Sequence, residues 1–292
     1  LENHNKGLKI AKEMGNDSLQ LGAYYRSLRI ASTFGYTDVV NYFYKEKCIP
    51  LTRANHNLRE EATAYNGLGY NCCACEDFDN ANAYFNKGLI IYYQFKDINF
   101  IMETLYNMTI NAIMVEDYRS ANSYVTTCLY AVENIRKDGR LGIFHITKLY
   151  GFKALCCYYL GNQYMTNTYL TYMKRMLDYI LDSGEDVENY NFWYDELFMY
   201  FYVQGLTLKN GELYERAEES LQKALFYCEK AQANKFFTYA RCQIELARIF
   251  MILGKKKKAV DSLKSAIEYA TNQGLKKQRL KLLLSLREIT GE

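Results

Sequence analysis

Cys72 and Cys75 form a C-x-x-C, the spacing that elsewhere holds a redox disulfide or one half of a zinc site. No second pair and no histidine at zinc spacing accompanies it, so neither a metal site nor any cofactor is expected. The three histidines, His4, His56 and His145, lie far apart and make no H-x3-H or H-E-x-x-H pair. Surface or boundary positions suit them. Glu76-Asp77 and Glu116-Asp117 are paired carboxylates, but each pair falls at a turn between helices, where capping of the following helix is their natural use. Gly67 with Leu68-Gly69-Tyr70 has the look of a glycine loop, yet it follows no strand and sits inside an apolar stripe. Neither G-x-S-x-G nor a P-loop occurs, so no catalytic residues are expected and the chain is read as a binder, not an enzyme.

The elements that position these residues are short amphipathic helices. Tyr65, Leu68, Gly69 and Cys72 share one helical face, and Phe78, Ala81, Phe85 and Gly88 mark a second helix with the same kind of stripe. Gly69 and Ala81 carry so little side chain that the two helices can approach closely, while Leu68 and Phe85 fill the remaining space. The stretch Ala62–Leu89 recurs: Glu76-Asp77-Phe78 returns as Glu116-Asp117-Tyr118, Ala81 as Ala121 and Leu89 as Leu129. Later copies run through Gly205, Tyr214, Ala217, Leu221 and Ala224, and through Leu246, Phe250, Gly254, Ala259 and Leu263. With Thr37, Phe78, Tyr118, Tyr164, Tyr214 and Lys256 as equivalents, the steps are 41, 40, 46, 50 and 42 residues. A hairpin of this kind cannot bury its apolar face alone, so its neighbours must cover it. Leu19–Thr33 and Thr37–Lys47 read as an earlier helix pair, followed by a loop around Pro50. Leu181–Tyr194 reads as a flexible or functional loop, while its Trp193 reads as packing at the start of the following helix. Lys6–Gly15 reads as the second helix of a unit whose first is missing, so a larger protein is expected upstream.

Composition agrees. The single proline, 49% hydrophobic residues and no strand-length alternation predict an all-α chain. At 292 residues a single core would be near its upper limit, whereas stacked repeats have no such limit. A net charge of +3 gives no electrostatic case for nucleic acid. No apolar run reaches the roughly 18 residues a membrane span needs, and no signal peptide is visible. Nine cysteines, several adjacent (Cys72 and Cys73; Cys156 and Cys157), suit buried free thiols in a reducing cytoplasm. The Lys-rich run Lys255–Lys281 reads as solvated helix faces and a C-terminal cap, or as a contact surface for an acidic partner.

The order aromatic, x2, Leu-Gly, x2, small or aromatic, then Ala-x3-Phe resembles the tetratricopeptide (TPR) pattern, at a longer step than the family's usual 34 or so residues. The resemblance implies a right-handed α-solenoid over 1–292, with about six helix pairs, a leading half-unit and a C-terminal capping helix. Its concave groove would hold a peptide or a partner's segment. Family groove positions fall here on Thr63, Asn66, Tyr70 and Cys73, and in other units on Tyr25, Arg29, Tyr106, Ile110, Phe152, Tyr159, Met199, Tyr202, Arg241 and Arg248. Of these, Tyr25, Arg29, Asn66, Tyr70, Tyr106, Phe152, Tyr202, Arg241 and Arg248 are the expected binding set. Tyr offers a flat apolar face with a polar tip, Asn pairs with peptide backbone, and Arg clamps carboxylates. The chain is similar in feel to bacterial receptors for peptide pheromones that regulate transcription, and to TPR sensory regions placed before GGDEF-type output domains. A regulatory or sensory module, joined to an output domain, is therefore expected. A self-associating scaffold, such as a homodimer, is the alternative.

Overall fold

The computed structural model describes residues 9–33, 36–136, 143–182, 194–231 and 235–291. Side chains at 29–30, 32–33, 133–136, 143–145, 179–182 and 235–238 lie outside that description. The helices are α1 (Asp17–Thr33), α2 (Thr37–Phe43), α3 (Ile49–Ala54), α4 (Leu58–Ala74), α5 (Phe78–Phe95), α6 (Ile98–Met114) and α7 (Tyr118–Arg136). There follow α8 (Ile143–Tyr159), α9 (Gln163–Asp182), α10 (Tyr194–Asn210), α11 (Tyr214–Lys230), α12 (Lys235–Ile252), α13 (Lys256–Asn272) and α14 (Lys276–Thr290). The described residues contain no strand, so the expected all-α fold is what the chain adopts. Two compact units divide it, Leu1–Asn111 and Ala112–Glu292, the boundary falling inside α6.

Within the units, consecutive helices close into hairpins: α4 on α5, α8 on α9, α10 on α11 and α12 on α13, with α14 packed on α13. The sequence explains the closeness. A Cβ on Gly69 would come within 2.6 Å of the Phe85 ring and 3.1 Å of the Ala81 carbonyl, so only glycine admits this contact. One hundred and more residues on, Gly205 repeats it, 2.7 Å from Leu221 and 3.4 Å from the Ala217 carbonyl. Leu68, Phe85, Leu221, Leu263 and Leu282 are wholly buried around these crossings.

The turns repeat as well. Two residues before the start of a helix the chain repeatedly passes through a left-handed residue, at Gly15, His56, Glu76, Lys96, Glu116, Gly161, Glu212, Gly254 and Gly274. Asp117 then accepts a hydrogen bond from the Ser120 amide at 3.0 Å, and Asn162 and Asn57 do the same for Met165 and Glu60. Asp77 instead accepts from the Asn80 side chain.

One expectation changes. No loop surrounds Pro50, because residues 37–54 run as one helical rod whose middle, Tyr44–Cys48, is a π-helix. There the Ile49 amide donates to the Tyr44 carbonyl, five residues back, and this local widening accommodates the missing amide of Pro50. On α14, Leu280, Leu283 and Leu284 are exposed. Trp193, most of Leu181–Tyr194, and the start of Lys6–Gly15 lie outside the described residues; 9–13 are helical.

Candidate functional site

In the second unit the tyrosines converge. Tyr118, first residue of α7, stacks on Tyr159, last of α8, with ring centroids 4.1 Å apart and planes 11° from parallel. The Tyr159 hydroxyl is 3.4 Å from that of Tyr202 on α10, whose ring lies on Phe198. Burial, and then the neighbouring phenols, push Tyr159 and Tyr202 well above the ordinary tyrosine range, so both remain neutral hydrogen-bonding groups. Arg241 of α12 closes the array. Its guanidinium donates to the Tyr118 hydroxyl (3.0 Å) and to the Ile113 and Met114 carbonyls (2.7 and 3.3 Å). Those carbonyls end α6, where the helix presents its negative pole and its unsatisfied acceptors, so a fork of N–H donors belongs there. Nearby, Lys281 of α14 donates to Glu116 at 2.5 Å, a second cation drawn to the same corner.

Next to this array lies an open groove of about 550 Å³, between the end of α10, the last three turns of α12 and the end of α14. Ile244, Ala247, Met251 and Ile252 follow one another along a single face of α12, with Ile289 opposite. Lys209, Arg248 and Glu288 stand among them. Glu245, itself buried, accepts from Lys209 and from Arg248 (2.6 Å). It thereby holds the exposed Arg248 guanidinium in place over an apolar floor. This is a site that can take an apolar chain while a fixed cation meets a carboxylate or a carbonyl.

The first unit has a smaller cleft of about 370 Å³, walled by one face of α1 (Asp17, Ser18, Leu21, Tyr25) and by Leu51, Thr52 and Glu60 among others. The Tyr25 hydroxyl lies 3.3 Å from the Glu60 carbonyl and 3.2 Å from its carboxylate. Burial first, then Glu60, raise its phenol far above the usual range. Between α4 and α6, Asn107 donates to Asn66 at 3.3 Å and Asn66 to Glu103 at 3.4 Å. Burial raises the Glu103 carboxyl above its ordinary range.

The expected binding residues therefore separate. Arg248 and Tyr25 line grooves, and Tyr70 is exposed while Tyr106 is half-buried. Asn66 is buried in the amide chain. Phe152 and Tyr202, 3 and 2% exposed, are core residues, and Arg241 is spent on the end of α6. The Arg29 side chain lies outside the described residues. Sequence reasoning missed Glu245 and Lys209. For Glu245 a signal was available, since it stands one turn before Arg248, at ion-pair spacing on one helix.

No sequence-family profile matches the chain, and no curated protein matches it in sequence. Solved structures do. NprR in complex with its cognate peptide NprX superposes with a TM-score of 0.70 at 13% identity, over 99% of this chain and 80% of that one. The quorum sensor NprR from B. thuringiensis, in its apo form, gives 0.59 at 14% identity over 96 and 74%. A Rap protein complexed with competence and sporulation factor gives 0.57 at 13% over 94 and 75%. The fold is a TPR-like α-solenoid. In TPR terms, Gly69 with Ala81 and Gly205 with Ala217 are one small-residue contact used twice, and the 550 Å³ groove is walled by the first helices of successive hairpins, α10 and α12, and by α14. Among the described residues, no three His, Cys, Asp or Glu side chains are grouped to hold a metal ion. Nor is any helix there long and apolar enough to cross a membrane. Cys72 of the C-x-x-C is buried, and burial raises its thiol to about 11, away from reactivity.

Proposed function

We propose that this chain is a peptide- or protein-binding TPR module, the sensory or regulatory part of a cytoplasmic bacterial signalling protein, with no catalysis of its own. The second unit's groove receives the ligand. The observation that carries this reading is Arg248, held by Glu245 above the row Ile244, Ala247, Met251 and Ile252. A bound segment lays apolar side chains on that row and offers a carboxylate or carbonyl to the guanidinium. Support comes also from the likeness to NprR, solved with its peptide NprX, and to a Rap protein solved with competence and sporulation factor. Such a module acts by passing ligand occupancy to a linked output domain, of which a GGDEF-type cyclase is one kind.

The test is selection from a library of short synthetic peptides, followed by fluorescence polarisation of the peptides retained. Ile244→Arg, which places a long cation in the apolar floor, is expected to weaken binding at least about tenfold. Arg248→Ala is expected to weaken peptides carrying an acidic group and to spare the rest. Equal affinity for both variants and the parent chain would remove the groove from the account.

A further inference from the structure

Helix α14 has two faces of different use. One buries Gln278 and Leu282 and turns Ser285, Glu288 and Ile289 toward the groove. The other carries Leu280, Leu283 and Leu284, which are 58, 37 and 51% exposed. Spacings of three and four residues place these leucines in one stripe. Helices α12 and α13 each pack between two neighbours, but among the described residues nothing covers the leucine stripe of α14. Single exposed leucines are ordinary; three in a row on one helix form a packing surface.

Charge identifies what fits. Helix α14 carries Lys276, Lys277, Arg279, Lys281 and Arg287 against one acid, Glu288. Lys276, Arg279 and Arg287 are exposed beside the stripe, and no acid stands in the helix's first turn to offset its positive pole. We propose that this outward face docks an amphipathic helix, its apolar stripe on Leu280, Leu283 and Leu284 and its carboxylates on Lys276, Arg279 and Arg287. The stripe is one helix wide and repeats the helix-on-helix packing of α12, α13 and α14, so a helix is the occupant its shape fits. A second copy is disfavoured because α14 against α14 would set two cationic rims together. The surface is opposite the groove, so it stands or falls separately from the peptide site.

The probe is a fluorescein-labelled synthetic helix patterned with Leu and Glu, with a counterpart in which Lys replaces Glu, titrated with the full chain and read by anisotropy. The Glu helix is expected to bind and the Lys helix not to. Leu280→Ser/Leu284→Ser and Arg279→Glu/Arg287→Glu are each expected to weaken the Glu helix about tenfold or more, with unchanged circular dichroism and unchanged binding of groove peptides. No binding of the Glu helix, equal binding of both helices, or indifference to both double variants would overturn the proposal. So would a dimer in sedimentation velocity that Leu280→Ser/Leu284→Ser dissolves, which assigns the face to a second copy. Binding to phosphatidylserine vesicles, lost in the same variants without any helix binding, would overturn it in favour of a lipid surface.

Discussion

Arg241 illustrates how a side chain's type and its use can part. Its guanidinium meets three acceptors in a fixed fork, so Arg241→Ala leaves two carbonyls and a phenol unsatisfied in a largely dry corner. A loss of about 2–3 kcal/mol in urea unfolding is expected, and Arg241→Lys, with no fork, should recover little of it. Glu196 makes a second case. It is wholly buried on α10, without a hydrogen bond, 3.7 Å from the Lys148 amine. Burial outweighs that amine and raises its carboxyl to about 8. In the unfolded chain it titrates near 4.5. Between those values the folded state holds a proton the unfolded state has released. Stability is therefore fullest below the lower value and falls as pH rises through the upper one, by up to about 1.4 kcal/mol per unit. Glu196→Gln should flatten that fall in a series of urea unfolding curves; an unchanged slope would show that the carboxyl titrates normally.

At the scale of the element, legibility followed sequence distance. The contact of Gly69 with Ala81 and Phe85 was readable because both partners belong to one hairpin and the helical period fixes which faces meet. The same holds for Gly205, Ala217 and Leu221. Gly205→Val is expected to cost about 1–3 kcal/mol by overpacking Leu221, measured by the midpoint of thermal unfolding, and a neutral result would mean that the crossing is loose. The end of α6 was not readable. Periodicity puts Arg241 on a face of α12, but nothing local says that the face meets carbonyls 127 and 128 residues earlier in the chain. Pro50 misled for a related reason. Proline usually marks a break, and only the i to i−5 bonding of the preceding turn shows how the helix absorbs it.

Across the whole molecule, repetition supplies most of the fold and little of the site. The left-handed turn recurs from helix to helix and the small-residue crossing recurs at Gly69 and Gly205, and that much is periodic and so legible. Binding surfaces arise where the repeats differ. Of the nine expected binding residues, Arg248 is the one that lines the larger groove, whereas Phe152 and Tyr202 fall on the core. In the α12 hairpin the buried Glu245 fixes the Arg248 cation on which the proposed recognition turns.

The most direct measurement places a photoreactive benzoylphenylalanine at Met251, in the groove, or at Lys264, on an exposed stretch of α13, and maps by mass spectrometry the adducts formed with a library-selected peptide. Adducts from position 251 and none from position 264 are predicted. Adducts from position 264 alone would contradict the account.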